Sequence, residues 1–341
     1  MARFVADNLI RFSLLLLAVS FVVFALVSAS PIDPVQANVG QAAYVNLSEA
    51  KRAQLADLWG ANTPLLERYA SWLSGLLQGD AGISLRFNAP VADVIASRAA
   101  NSLALMAVAW VVSGVAGFAL GVAAGTHRDG ALDRAVRAYC YILAATPSFW
   151  IGLVLLTVFA VELGWFPLGF SVPVGVAAAD VTLADTLRHM ALPAITLSLT
   201  GVANIALHTR EKTIDVMESD FVRFARARGE SPWQVVSRHA LRNVALPAIT
   251  LQFSLVSEIF GGSVLVEQVF SYPGLGQAAV AAGLGGDAAL LSGIAVTSAA
   301  LVFGGNLIAN LLYAAIDPRI RRATQAGGGF APAKRKGEAY A

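Results

Sequence analysis

SLALMAVAWVVSGVAGFALGVAAG, residues 102–125, carries no charged residue, and as an α-helix it would be about 36 Å long at ~1.5 Å per residue. The hydrocarbon core of a bilayer is roughly 30 Å thick, so about 20 such residues are enough to cross it. Within this stretch Ser113, Gly117, Gly121 and Gly125 recur every four residues and form a ridge without side chains along one helix face. Lipid tails give apolar helices no hydrophobic reason to associate, so close backbone approach at small residues supplies much of the contact. The stretch therefore reads as a membrane span whose ridge meets another helix.

Five further runs have the same character, near Leu9 to Ala29, Val136 to Leu163, Ala191 to Leu207, Val244 to Val266 and Ala288 to Ile316. The run from Ala191 to Leu207, the fourth of the six in chain order, is short and holds Pro193 near its start, so its ends are the hardest to place. The 341 residues are 57% hydrophobic and 13% charged, a composition that excludes an ordinary soluble domain. These features predict an all-α polytopic membrane protein with about six transmembrane helices and a small helical extracytoplasmic insert after the first. The predicted divisions are a first segment and span over 1–29, the insert over 30–101 and a five-helix core over 102–316. A cytoplasmic loop over 209–243 and a cytoplasmic tail over 317–341 complete them. Met1 to Ala29 also has the layout of a secretory signal, but its apolar run is long enough to remain as an anchor. Ser48, and Thr63 followed by Pro64, supply helix starts within the insert.

Charge sets the orientation. With the N-terminus inside, 18 of the 24 Lys and Arg fall in segments that would face the cytoplasm. The remainder lie mostly in one long outer segment, where the positive-inside rule weighs little. Both termini are thus expected in the cytoplasm, with the chain in a bacterial inner membrane. Cys140, the single cysteine, allows no intrachain disulfide. The four histidines form no predicted metal site: His189 and His208 flank the fourth span about 28 Å apart, and His127 and His239 lie in loops.

Three polar residues interrupt the spans. Glu258 in the fifth costs roughly 3 kcal/mol to insert, so it faces either a water-filled pathway or a donor on a neighbouring helix. Asn306 and Asn310, one turn apart in the sixth, face either an interhelical hydrogen-bond partner or a permeation path. Thr209 to Asn243, TREKTIDVMESDFVRFARARGESPWQVVSRHALRN, is the longest polar insert of the core. Its punctuation predicts a helix that ends at Gly229 after the basic last turn of Arg226 and Arg228. A second helix, short and exposed, starts with Ser231 as cap, Pro232 at the first position and Gln234 closing a capping box. A basic amphipathic helix can lie on anionic lipid. Two helices about a glycine turn instead build a protruding knob, which suits a protein partner.

These segments resemble, in order, those of binding-protein-dependent ABC importer permeases of the dipeptide, oligopeptide and nickel branch. The resemblance runs through Pro64–Leu85, Pro90–Arg98, Asn101–Leu105, TPSFWIG at 146–152, DFVRFARARG at 220–229, RHALRNVALP at 238–247, GGSVLVEQVFSYPGLG at 261–276 and LLYAAIDPRIR at 311–321. One departure is that the general importer loop has Glu-Ala-Ala where this chain has Arg223, Phe224 and Ala225, a substitution that resembles the peptide and nickel branch. The resemblance implies half of a translocation pathway for peptides or a related solute such as nickel or a metal chelate. It implies as partners a second homologous permease in a heterodimer, two cytoplasmic ATPases, an extracytoplasmic solute-binding protein and membrane lipid, with no nucleic acid. Phe224, Ala225, Arg226, Ala227, Arg228, Gly229, Ser231 and Pro232 would then couple to an ATPase, and Tyr272, Pro273 and Gly274 would sit at the channel mouth. No G-x-x-x-x-G-K-[ST] stretch is present, so no catalytic residue, metal or cofactor is expected on this chain, and ATP and Mg belong to the ATPase partners. An ion-coupled secondary transporter is the alternative, although the spans hold few acids and no inverted repeat is visible.

Overall fold

The computed structural model describes residues 2–59 and 63–316. The tail, with Asp317, Pro318 and Arg319, lies outside the described residues. Helix α1 (Ala2–Ser28) is followed by the insert helices α2 (Pro34–Val39), α3 (Gln41–Asn46), α4 (Glu49–Leu58) and α5 (Leu65–Leu77). A hairpin of β1 (Ile83–Ser84) and β2 (Ala89–Pro90) pairs Ser84 with Ala89. Ser48 Oγ accepts from Lys51 N and caps α4, as expected, whereas Thr63 caps nothing: Pro64 itself occupies the cap position of α5. The insert is fastened to α1 by apolar rings, with Phe24 against Tyr69 and Trp72, and by a 2.8 Å Ser20–Tyr69 hydroxyl contact.

The core comprises α6 (Val91–Thr126), α7 (Ala131–Ala145), α8 (Ser148–Leu155, continued by a π-helical turn to Glu162) and α9 (Leu183–Met217). It goes on through α10 (Asp220–Ala227), α11 (Pro232–Val235), α12 (Leu241–Ser254), α13 (Val256–Val269), α14 (Leu275–Leu284) and α15 (Ala288–Ile316). Among the described residues four unbroken helices are long and apolar enough to cross a membrane, and the total is up to six if each of two bent pairs counts as one span.

Both bent pairs differ from the straight spans that hydropathy suggested. Ala131–Ala145 and Ser148–Glu162 meet at 106°. Thr146 stands before Pro147, whose ring forces the preceding residue out of the helical region, and Thr146 is indeed extended at φ −102°, ψ 127°. Pro232–Ser254 and Val256–Val269 meet at 50° about Leu255.

Two helices outrun their predicted ends. Helix α6 begins at Val91, before the apolar run at 102, because Asp93, Arg98 and Asn101 lower the hydropathy without opposing a helix. This first part packs Val91 and Val94 against α14 and α15. Helix α9 spans 35 residues with Pro193 inside it, started by a capping box between Thr182 and Asp185. Proline is tolerated inside a membrane helix when neighbours stabilise the ladder. Further along α9, the predicted ridge of α6 lies against it. A Cβ added at Gly117 would stand 2.8 Å from Ile205, and one at Gly121 or Gly125 only 2.5 Å from Thr209 or Thr213.

Contacts sort the loops into two ends. At one, Asn38 Nδ2 donates to Gly285 O (2.7 Å), Ser84 Oγ to Asp287 (2.6 Å) and the Phe170 N–H to Phe270 O (3.1 Å). At the other, Arg128 pairs with Glu218, and the buried Asp133 accepts from Arg210 Nη2 at 2.8 Å with Arg137 at 3.5 Å. The loops therefore alternate between ends, and the bent third segment still connects them.

Candidate functional site

The segment between α9 and α12 folds as a knob. Helix α10 stops where Gly229 takes φ +83°, with the Gly229 N–H bonded to Arg226 O (2.9 Å) and the Glu230 N–H to Ala225 O (3.3 Å). Ser231 and Gln234 then form the expected reciprocal capping box, with Pro232 in the first turn. The second helix, however, is not short. It runs from α11 through a π-helical turn at Val236–Ala240 directly into α12, so the knob is the end of the fifth span.

Burial divides the knob into two faces. Val222, Ala225, Val235, Ala240 and Val244 are buried together, with Phe118, Val122 and Met217 packed against them. Ala225 is thus an anchor, whereas Phe224, Arg226, Ala227, Arg228, Gly229, Ser231 and Pro232 are exposed. The outer face also holds two aromatic residues that the sequence reading passed over, Phe221 and Trp233. Phe224 is 65% exposed and Trp233 74%, an unusual display for large apolar side chains. Glu230, almost buried, fixes the turn from beneath by bonding His239 (2.9 Å) and Arg228 (3.3 Å).

A polar group gathers midway along the bundle from three helices. Asn204 of α9 donates its amide to Glu258 of α13 (3.2 Å), and Ser257 Oγ donates to Asn306 Oδ1 of α15 (3.2 Å). Glu258 and Asn306 are exposed, so Glu258 has a neighbouring donor without being buried by it. The side chain of Asn310 lies outside the described residues.

At the insert end, Tyr272, Pro273 and Gly274 form a tight turn organised by Glu267, which sequence reasoning missed. The fully buried Glu267 carboxylate accepts from Ser102 Oγ (2.6 Å), Gly276 N (2.7 Å) and Gln277 N (3.1 Å). A Cβ at position 274 would lie 2.3 Å from that carboxyl group, which explains the glycine. Asn101 Nδ2 holds Pro273 O at 2.9 Å. Tyr272 and Gly274 are buried by this arrangement, and only Pro273 borders the cavity of about 500 Å³ that opens beside the turn. His189 Nδ1 meets Gly169 O at 2.7 Å, and among the described residues His189 joins no cluster of metal-ligating side chains.

Residues 117–322 match the family described as the inner membrane component of binding-protein-dependent transport systems, and residues 1–105 match its N-terminal companion. The chain belongs to that family. It is 35% identical over 321 residues to the oligopeptide transport system permease protein AppB of Bacillus subtilis, covering 94% of this chain and 99% of that protein. It is also similar to a putative peptide permease of Brucella suis, 36% identical over 310 residues and covering 90% of this chain and 95% of the relative. The glutathione transport system permease protein GsiC of Escherichia coli is 34% identical over 327 residues, with 94% and 99% covered.

The chain is accordingly a multi-pass inner-membrane permease subunit of an ABC importer, a transport component that works with ATPase and binding-protein components. Nothing in the family or its relatives supports the ion-coupled alternative. The residues missed from sequence carried faint signals. Trp233 sits in the first turn of a capped helix inside a polar insert, where no core calls for it. Glu267 closes an apolar span, and only the fold reveals that Ser102, 165 positions away, meets it.

Proposed function

We propose that this permease forms one half of a solute pathway and that its knob receives one of two cytoplasmic ATPases. The observation that carries the reading is the two-faced knob: an outer face with Phe221, Phe224 and Trp233 exposed, held rigid by a buried inner face and by caps at its turn. Exposed aromatic groups on a rigid support are what a protein groove accepts. Because α11 continues into α12, a push on Trp233 would be carried along Pro232–Ser254, about 34 Å, to the bend at Leu255 and the neighbouring Glu258.

Asn204, Ser257, Glu258 and Asn306 would line this chain's share of the pathway, facing a second, homologous permease in a heterodimer. The basic end that bears the knob would face the cytoplasm with both termini, and the insert would face the solute-binding protein. ATP and Mg would be held by the ATPases and by nothing on this chain. Peptides, the cargo in the names of the relatives, are the solutes proposed here, with a related small solute such as nickel or a metal chelate as the variant reading.

The test is ATPase activity of the complex in lipid, copurified with its ATPases and partner permease and stimulated by loaded binding protein. The double variant Phe224→Ala, Trp233→Ala leaves the buried face intact. Stimulation is expected to fall at least about 10-fold, as loss of two aromatic anchors at more than 1 kcal/mol each implies. Unchanged stimulation in an assembled complex would remove the knob from the coupling route.

A further inference from the structure

The cavity beside the Tyr272–Gly274 turn is walled by Arg86, Phe87, Arg98, Phe170, Gln268 and Gln277, with apolar residues of α14 behind them. Its volume of about 500 Å³ is that of a small-molecule pocket and exceeds what one side chain fills. Arg98 is half-buried: its Nη1 donates to Gln277 Oε1 (2.9 Å), and its guanidinium lies 5.1 Å from the centre of the Phe87 ring. Arg86 stands on the hairpin turn, its backbone N–H fixed by Asp287 Oδ2 at 3.1 Å while its side chain is exposed.

The carboxylates nearby are already engaged. Glu267 is taken up by Ser102, Gly276 and Gln277, and Asp287 by Ser84, Arg86 N and Leu290 N. Among the described residues neither guanidinium forms an ion pair within 4.0 Å. Two arginines outside any close ion pair, with Arg98 sensing the buried Glu267 only at longer range, in a concave site with aromatic and amide walls, are suited to a carboxylate joined to an apolar body.

Position links the cavity to the polar group deeper in the bundle. Gln268, in the cavity wall, lies on the same face of α13 as Leu265, Gly261 and Glu258, since these residues are three or four apart. Ten residues of helix separate Gln268 from Glu258 by about 15 Å. Leu265 and Glu258 are exposed on that face, and a Cβ at Gly261 would touch nothing within 4 Å.

We infer that this cavity is a carboxylate-binding subsite on the permease itself, where a solute such as a short peptide sets its free carboxylate between Arg86 and Arg98 and its apolar part against Phe87 and Phe170 before passing to the face of Glu258. The inference rests on the importer reading and adds the chemical class its outer end selects.

The probe is the dipeptide alanylphenylalanine and its C-terminal amide, titrated by ligand-observed NMR onto the assembled complex in nanodiscs without binding protein. The acid is expected to bind at least about 10-fold more tightly than the amide, with the preference weakened by added salt. Arg86→Gln, at an exposed position, and Arg98→Gln should each bring the acid to the level of the amide and leave the amide unchanged. Equal binding of acid and amide, no binding of either, or an unaltered preference in both variants would overturn the subsite. So would a 10-fold loss of binding-protein affinity in Arg86→Gln with dipeptide binding intact, which would assign the arginines to carboxylates of that partner. ATPase stimulation, measured on the same preparations after loaded binding protein is added, separates the two readings: if it persists without an acid preference, only the subsite falls, and if it is absent from the native complex, the importer reading fails first.

Discussion

Replacing Gly121 by alanine tests the contact that organises the bundle. The new Cβ would lie 2.5 Å from the Cβ of Thr209 and 2.6 Å from the Ala206 carbonyl oxygen, separations that real Cβ atoms do not show. Neither neighbour is the end of a flexible side chain, so α6 and α9 must move apart, and they touch along Ser113–Gly201, Gly117–Ile205, Gly121–Thr209 and Gly125–Thr213. A gap of 0.5–1 Å forfeits a quarter to a half of each dispersion contact. Overpacking of this kind costs about 1–3 kcal/mol. Alanine recovers up to about 1 kcal/mol through its better helix propensity, leaving a net loss of up to about 2 kcal/mol where Gly304→Ala would show a gain. Gly304→Ala is the control, because a Cβ there meets nothing within 4 Å and only the propensity gain of about 0.5–1 kcal/mol remains. Equilibrium unfolding of the isolated chain in mixed micelles would read both. Gly121→Ala as stable as the native chain, or Gly304→Ala equally damaging, would refute the argument that the small-residue ridge exists for close approach to α9.

Gly229→Ala forces a Cβ into φ +83° and is expected to destabilise the knob turn by about 1–2 kcal/mol, with Ser231→Ala costing about 1 kcal/mol through the lost cap. Hydrogen exchange at Glu230 and Gln234 would report both, and native protection in either variant would contradict the assigned turn. Asp133→Asn leaves the buried Arg210 with only the exposed Glu211 (2.6 Å) as an ion-pair partner among the described residues, an expected loss of about 3 kcal/mol in chain stability, at the low end for breaking a buried pair, whereas conservative changes at the exposed Lys212–Asp215 pair should move it by less than about 1 kcal/mol. Unfolding curves that rank these two sites alike would remove the buried pair as a fastening of α7 to α9. Glu267→Ala strips acceptors from two backbone N–H groups and the Ser102 hydroxyl, at about 1–3 kcal/mol for each group left unsatisfied. Faster amide exchange at Gly276 and Gln277 is the expected sign, and unchanged exchange there would show that the turn holds without Glu267.

What the sequence determined by itself was whatever its own near neighbours enforce. Apolar runs long enough for a bilayer, the four-residue recurrence of Ser113, Gly117, Gly121 and Gly125, the positive-φ stop at Gly229 and the Ser231 capping box all depend on residues within a turn or two, so each was legible before any fold existed. Spans three and five were legible as apolar but not as bent. Pro147 gave a local reason for a break, yet the 106° angle is set by how α8 packs beside Thr196 and Phe270. Hydropathy also clipped α6 and α9, because the polar and charged residues at their ends lower the hydropathy without opposing a helix. The burial of Glu267, the meeting of Asn204 with Glu258 and the convergence of Arg86 with Arg98 join residues separated by 12 to 165 positions. Such meetings depend on how helices settle against one another over a whole bundle, and no local pattern encodes that, which is why tertiary structure alone decided them.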